Sequence, residues 1–504
     1  MQDRSRERVD VLIVGAGPVG LLMANECARR GLDFRIVEKR SRQSEHSKAL
    51  AIFPRTMEIL DMAGLVKPFL KAANRVTSIV VEERARTLAH VSFSPRESPY
   101  PFIAMVPQDV TERLLVDNLE ARGGTVEYRT CFISASQQQG HVVVKLERDG
   151  VHEETSAAFV VGCDGARSTV RHGLDLGFDG GEYRDIFLLA DIDIHGDLPV
   201  DRLHLCPHAS GPLAIFPINA QRRRVVAMVD LMEGEAPSLE LVQRLLDQRA
   251  PPGIQAVALH WSSYFRIHHR HVPSLRKGRI FVAGDAAHIH SPFGGQGMNT
   301  GLQDVWNLAW KLDLVLGGQG AECLLDSYDD ERLPVIKRVI ESTDRLTRTM
   351  GIRSRLAQAL RGVVIRSVSR LTSFQHALVD RLSGLSIAYA GSPMVAGAGE
   401  RYFDASLQGG TGIGRRFVLV LGNDSAPAVV QDAERLVASM RSVLELRVLP
   451  RPGMVLVRPD GYVAWSGHPR DAKAAWKAIL TLLARQTNQA ALQQAPRSDH
   501  AQHL

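Results

Sequence analysis

Apolar and polar positions alternate along this chain in blocks of different period. Val9 to Val14 form a mostly apolar run that ends at a cluster of glycines, and Leu21, Leu22, Ala24, Cys27 and Ala28 then recur at helical spacing. A second short apolar run, Phe34 to Val37, follows. The pattern predicts strand, turn, helix, strand, a βαβ unit of the length expected for a nucleotide-binding core. Gly15, Ala16, Gly17, Pro18 and Gly20 interrupt the first run, which makes it a poor membrane span and a poor signal-peptide core. Strand-turn patterns return at Phe159 to Arg167 and at Arg279 to His288. These pieces are far apart in the chain, so the nucleotide domain is expected to be discontinuous.

Between roughly Gly180 and His271 the period shortens. Ile186 to Ile194, Leu213 to Ile218 and Arg224 to Asp230 read as antiparallel strands of an inserted sheet, placed to wall one side of a substrate cavity. Helical spacing returns from Asp304 to about Leu316 and from Glu331 to about Ile387, and a Gly- and Pro-containing stretch at Gly391 to Gly399 reads as a linker. Short strands alternate with helices from Arg401 to about Arg485, and a polar, Gln-rich tail is expected to fray. The expected division is 1–179 with 272–335 for the nucleotide domain, 180–271 for the substrate sheet, 336–399 for a helical segment and linker, 400–486 for the last domain and 487–504 for the tail.

Composition narrows the function classes. A chain of 504 residues, 45% hydrophobic, has material for more than one core. Five cysteines, Cys27, Cys131, Cys163, Cys206 and Cys323, are odd in number and widely spread, without a C-x-x-C pair, which points to reduced thiols in a cytoplasm. The net charge of +6 arises from cations scattered among 55 acidic residues. No basic stripe argues for nucleic acid, and no segment argues for a membrane partner.

Three motifs carry chemistry. Gly15-Ala16-Gly17-Pro18-Val19-Gly20 matches G-x-G-x-x-G between strand and helix, and Glu38 ends the second strand. Gly15 is suited to a tight turn, Gly17 to close approach of a pyrophosphate and Gly20 to helix-strand packing, with the helix start facing the phosphates and Glu38 accepting ribose hydroxyls. This motif alone leaves NAD and FAD undecided. The second element is Val160 to Arg171, centred on Asp164-Gly165; read alone it is also a turn in which Ser168 caps the next helix. The third runs from Gly278 through Gly284-Asp285 to His288, and on through Ser291-Pro292-Phe293-Gly294-Gly295-Gln296-Gly297-Met298-Asn299 to Asp304, Asn307, Trp310 and Lys311. Its glycines allow main-chain amides to approach a flat ring, and a helix starting near Met298 would aim its positive end there.

Together these motifs resemble the group A flavoprotein monooxygenases, the single-component aromatic hydroxylases, over residues 9 to about 340. The resemblance implies an α/β fold: a Rossmann-like FAD-binding domain of the glutathione-reductase type, an inserted antiparallel-sheet substrate domain and a C-terminal thioredoxin-like domain. It implies FAD as cofactor, NADPH or NADH as reductant, O2 and a small aromatic molecule as substrates, and insertion of one oxygen atom through a flavin C4a-hydroperoxide. Asp285 would bind the ribityl chain, Gln108 would lie near it, and Asp164 would serve flavin and nicotinamide nucleotide. Gly15, Gly17, Pro18, Gly20, Glu38, Gly284, Gly295, Gly297, Met298 and Asn299 complete the expected cofactor set. Pro292, Gly294 and Gly295 would wall the reacting edge. Lys48 stands where the family usually has an arginine, keeping the charge and losing the planar fork.

The stretch Leu456 to Trp465 resembles the thioredoxin-like appendage of phenol and polyketide hydroxylases. Lacking C-x-x-C, that domain is expected to pack or to form a homodimer interface rather than exchange electrons. No general base stands out among His204, Asp230, His260 and Tyr264, and the run His268-His269-Arg270-His271 has no partner cluster for a metal. Epoxidation, Baeyer-Villiger-type or oxidative chemistry on the same fold, and flavin binding without turnover, remain the alternatives. The W-x-W-x-I-P segment of flavin halogenases is absent.

Overall fold

The computed structural model describes residues 8–44, 47–83, 86–95, 97–230, 237–291, 294–350, 364–367, 369, 371–404, 414, 416–468 and 472–487. Its helices, in chain order, are α1 (Pro18–Arg30), α2 (Pro54–Met62), α3 (Val66–Ala72), α4 (Gln108–Ala121), α5 (Thr169–Gly173), α6 (Leu239–Arg249), α7 (Gly297–Leu316), α8 (Ser327–Met350), α9 (Thr372–Ser383), α10 (Pro427–Ser439) and α11 (Ala472–Gln486). Among the described residues no helix is long and apolar enough to cross a membrane.

One sheet carries the nucleotide motifs. Strand Val9–Val14 runs parallel between Val151–Gly162 and Phe34–Glu38, and Ile280–Val282 adds parallel to Val151–Gly162. The apolar runs are therefore buried from both faces, as parallel strands require. α1 starts on Pro18 with its ring at the first helical position. It ends at Gly31 in the left-handed region, with Arg29 and Arg30 in its last turn.

The second sheet is mostly antiparallel, in the order His288–Ile289, Gln255–His271, Asp179–His195, Arg222–Val229, Leu213–Pro217, Arg202–Cys206, Ser78–Glu83, Arg86–Ser92. It reaches beyond the expected segment 180–271. Ser78–Glu83 and Arg86–Ser92 come from the N-terminal part, and Ser78–Glu83 pairs parallel with Arg202–Cys206. Register gives each face its identity, because directly paired residues share a face. Ala190, Cys206, Ile215, Val225 and Ala227 lie under α6. Leu189, Phe187, Ala214, Phe216, Arg224, Val226, Met228 and Phe265 lie on the other face.

The C-terminal unit has a four-stranded sheet, Leu444–Leu449, Phe417–Gly422, Met454–Val457, Val463–Gly467, whose first pair is parallel across α10 and whose others are antiparallel. The expected linker at Gly391 to Gly399 is packed against this unit. Ala396 donates its amide to the Ala464 carbonyl, and Met394 joins the C-terminal core. Glycine and proline mark turns there, not slack. Most of the tail, 488–504, lies outside the described residues.

α7 joins the two bodies. It is buried on nearly every side, with Trp306 in the nucleotide-domain core and Trp310 in the C-terminal core. Where they meet, full charges are sealed in. Arg458 holds both carboxylate oxygens of Glu331 (2.5 and 2.8 Å) and both of Asp460 (3.1 and 2.6 Å), and Lys311 reaches Glu331 at 2.9 Å. Burial alone would raise the Glu331 pKa, but Arg458 and Lys311 outweigh it and hold the carboxylate well below its usual 4.5. Burial pulls Lys311 down to about 8, with the Arg458 charge adding to it, against the attraction of Glu331.

A carboxylate held low in the fold contributes stability that is complete above its unfolded pKa and is lost as pH falls through the folded one. Glu331→Gln should therefore cost about 3–5 kcal/mol at neutral pH by taking the carboxylate from Lys311 and leaving Arg458 with Asp460 alone. It should also flatten the fall of Tm on acidification below the usual carboxylate range. Thermal melts of both proteins across pH check this; parallel curves would remove Glu331 from the acid response.

Candidate functional site

The motif loops after strands Val9–Val14, Phe34–Glu38, Val151–Gly162 and Ile280–Val282 emerge at one edge, the carboxyl ends of parallel strands, where such sheets form their crevice. Gly15 has φ +102°, and a Cβ there would meet the Cys163 carbonyl oxygen at 2.5 Å. A Cβ on Gly20 would lie 1.9 Å from the Gly15 oxygen. Both glycines serve packing. Gly17 differs, because a Cβ there would meet nothing within 4 Å, so its face opens onto free space at the start of α1. Glu38 is buried and accepts the Ala16 amide at 2.8 Å and the Arg40 amide at 2.9 Å. Burial would raise its pKa, but hydrogen bonds from Arg40 and Ala16 outweigh that and keep it ionised.

Asp164 turns its carboxylate onto α5, accepting from the Ser168 hydroxyl and from the amides of Thr169 (2.7 Å) and Val170 (3.2 Å). Ser168 accepts from the Arg171 amide. This segment is a capped turn, as its residues alone suggest. Arg171 ties it to the third motif by donating to the Ala286 carbonyl at 2.9 Å.

In the third motif, Asp285 projects into a cleft: its side chain is open to solvent yet crowded by protein. That crowding raises its carboxyl pKa, while the charges of His288 and Lys48 pull it back. Behind it, Asp304 is fully buried and accepts from the Gly284 amide (3.2 Å), His288 Nε2 (2.7 Å) and Arg332 Nε (2.8 Å). Arg332 also donates to the Thr300 carbonyl in α7. Sequence reasoning named Asp304 without a role and missed Arg332, whose partners lie about thirty residues away in the chain.

Lys48 sits on a short loop fastened from both sides. Gln108 Oε1 accepts the amides of Lys48 (3.3 Å) and Ala49 (3.1 Å), while its Nε2 donates to Glu112 at 2.9 Å. From the second sheet, Arg224 donates to the carbonyls of Lys48 (3.0 Å) and Ala49 (3.3 Å) and forks onto Asp191 at 2.7 and 2.8 Å. Gln108 thus acts on the loop. Arg224 was not singled out, since a buried arginine in a strand reads as polar noise until its partners are known.

Gly294 packs against Thr343 of α8, Gly295 has φ +61° beside Ala51 and Phe53, and α7 begins at Gly297 without a side-chain cap. The amides of its first turn, including Gly297, Met298 and Asn299, have no acceptor within the helix, which makes this end a site for negative charge. Asn299 is buried and clamps the neighbouring strand, accepting from the Phe53 amide and donating to the Ala51 carbonyl, each at 2.9 Å. His290 donates Nδ1–H to the Ser291 carbonyl, and burial lowers its pKa to about 4, so the ring beside Gly297 is neutral. Pro292 lies outside the described residues.

The sheet face that carries Arg224 abuts this loop. Leu203, Leu205 and Phe216 cluster with Leu50, Ala51 and Phe53, and Phe216 and Leu205 continue into Phe187, Met228 and Phe265. Of the candidate bases, His204 bonds Glu82 on the opposite, α6-covered side, Tyr264 packs in the core under α6, and His260 pairs with Asp193 at 2.7 Å and Arg222. His204 and Tyr264 thus lie on the face away from Arg224, and His260 is taken up by its pairing with Asp193.

The space at Gly17, the ionised Glu38, the cleft around Asp285 and the uncapped start of α7 fit a dinucleotide carrying a flat ring that becomes anionic on reduction. Comparison with known proteins agrees. A family model described as "FAD binding domain" matches residues 8–343, and one described as "Aromatic-ring hydroxylase, C-terminal" matches residues 410–487. A 6-methylpretetramide 4-monooxygenase of Streptomyces rimosus is 36% identical, over 77% of this chain and 72% of that one. A pentachlorophenol 4-monooxygenase of Sphingobium chlorophenolicum is 30% identical over 90% and 86%. The solved anhydrotetracycline hydroxylase from Streptomyces rimosus superposes with a TM-score of 0.79 at 28% identity, covering 95% of this chain and 99% of that one.

Gly17→Ala should leave the unfolding free energy within about 0.5 kcal/mol of wild type, since nothing opposes the added methyl, and weaken FAD binding at least tenfold. Gly20→Ala should instead fail to fold stably. Equilibrium dialysis and thermal melts separate the two, and tight FAD binding by Gly17→Ala would refute the assignment. Arg224→Gln should speed amide hydrogen exchange in the Ser47–Ala49 loop, read by mass spectrometry; unchanged exchange there would show the loop is held without it.

Proposed function

Because this chain belongs to the FAD-binding aromatic-ring hydroxylases and is an FAD-dependent monooxygenase, we propose that it uses NADH or NADPH and O2 to hydroxylate a phenolic, polycyclic substrate of polyketide type. The observation that carries the substrate class is the broad apolar sheet face running from Leu203 to Phe265 beside the Lys48–Phe53 segment, which suits a flat fused-ring molecule. The tetracycline-type substrates named for two of its relatives support the same choice.

Bound FAD would supply the redox chemistry, passing electrons from the nicotinamide to O2 and one oxygen atom to the ring. The chain's own residues do the rest. The Gly17 face and the α1 start would take the pyrophosphate, Glu38 the adenosine ribose and Asp285 the ribityl hydroxyls. The amides at Gly297 to Asn299 would stabilise negative charge on the reduced ring system, without help from a cationic His290, which is neutral. Lys48 would offer its ammonium to phosphate or nicotinamide nucleotide as a point charge. Gly294 and Gly295 would wall the reacting edge. Phe216 and Phe265 would orient the substrate and keep water away. With five free, dispersed cysteines, a reducing cytoplasm suits the protein.

The test is anaerobic reduction followed by readmission of isotope-labelled O2 in the presence of polycyclic or monocyclic phenols. A polycyclic phenol should accelerate reduction and leave as a product bearing one labelled oxygen; reduction indifferent to every phenol, or unlabelled product, would refute the proposal. Phe216→Ala should raise KM for the accepted phenol on the order of tenfold while FAD content stays at the wild-type level, since a lost aromatic wall costs about 1–2 kcal/mol.

A further inference from the structure

The C-terminal unit does more than sit beside the FAD-binding body. Its turn Arg458 to Tyr462 touches three helices that build the cleft. Asp460 accepts the indole N–H of Trp310 at 3.2 Å through its carboxylate and that of Trp306 at 3.1 Å through its carbonyl, both in α7. The same carbonyl accepts from Arg55 of α2 at 3.0 Å, and Arg55 stacks on Tyr462. Arg458 grips Glu331 of α8.

The next residue of α8 continues the path. Arg332 holds Asp304, which holds the Gly284 amide beside Asp285, and it also holds the Thr300 carbonyl in the first turns of α7. Tyr389 bridges the two sets, bonded to Arg332 at 3.4 Å and packed on Tyr462 at 4.3 Å between ring centres. α2 follows directly on Phe53, whose amide is clamped by Asn299. The Arg332–Asp304 strut behind Asp285 and the Asn299–Phe53 clamp at the α7 start therefore both lead, within a few contacts, to the Arg458–Tyr462 turn.

We infer that Asp460 is a positioning residue for the flavin site: the C-terminal domain, without redox cysteines of its own, sets the placement of the α7 N-terminus and the Gly284–Asp285 turn. The inference rests on the FAD assignment above. A side chain fixed by buried, fully paired neighbours transmits displacement, because a close-packed interior has few intermediate arrangements. Disturbing the turn moves the helix end that faces reduced flavin, so affinity and reduction potential change together.

The experiment compares the full-length wild type with Asp460→Asn and with Leu436→Ala, a cavity in α10 of the same C-terminal core chosen for a comparable loss of Tm. FAD dissociation constants and the midpoint potential of the bound flavin are measured for each. Asp460→Asn should weaken FAD binding on the order of tenfold and shift the potential to more negative values, while Leu436→Ala changes neither. If Asp460→Asn does not fold, Trp310→Phe, which removes the indole donor to the Asp460 carboxylate together with part of the ring, should move both quantities in the same direction. Wild-type affinity and potential in the Asp460 or Trp310 variant, or an equal loss in Leu436→Ala, would overturn the inference while leaving the FAD assignment intact. A wild type that binds no FAD would overturn both.

Discussion

Lys311, Arg332 and Arg458 are sealed from water against Asp304, Glu331 and Asp460, and the molecule is arranged so that none of these six is left alone. Three cations and three anions balance. Each would be costly to bury unpaired, and together they demand that α7, α8 and the C-terminal turn meet in one geometry. Apolar packing could join these bodies in several ways; paired buried charges admit far fewer.

α7 shows what that geometry serves. Its first turn faces the cleft with unpaired amides, its middle carries Asp304, Asn307 and Lys311 into the charge network, and its tryptophans divide between two cores. One helix thus connects cofactor electrostatics with domain packing. The second sheet makes another connection at Arg224, which bonds the main chain of the Lys48 loop and so positions that loop whatever its own side chains.

The glycine motifs, the βαβ unit, the inserted sheet and the final strand-helix unit were all legible, because each rests on local period or on residues adjacent in the chain. Asp164 illustrates a limit: its spacing announced a turn correctly, while its geometry turns the carboxylate into a helix cap. Gln108 and Asn299 were expected in the site, and their side chains bind protein backbone, which no local pattern reveals. Arg224, Arg332 and Arg458 were invisible for a related reason. A buried arginine becomes interpretable only beside its carboxylate, and apart from Asp460, two residues after Arg458, these partners lie from about thirty to over one hundred residues away in the chain.

The order of residues in the charge network also has a meaning in time. A ribosome extends the chain from its N-terminus, and domains tend to fold as they emerge. Glu331 and Lys311 appear well before Arg458 and Asp460, so the nascent FAD-binding body carries charges that await partners made more than one hundred residues later. A chain cut short before the Arg458 turn would keep every glycine of the binding motifs and still present an open, charge-bearing surface, the kind of surface by which quality-control machinery distinguishes unfinished proteins from finished ones.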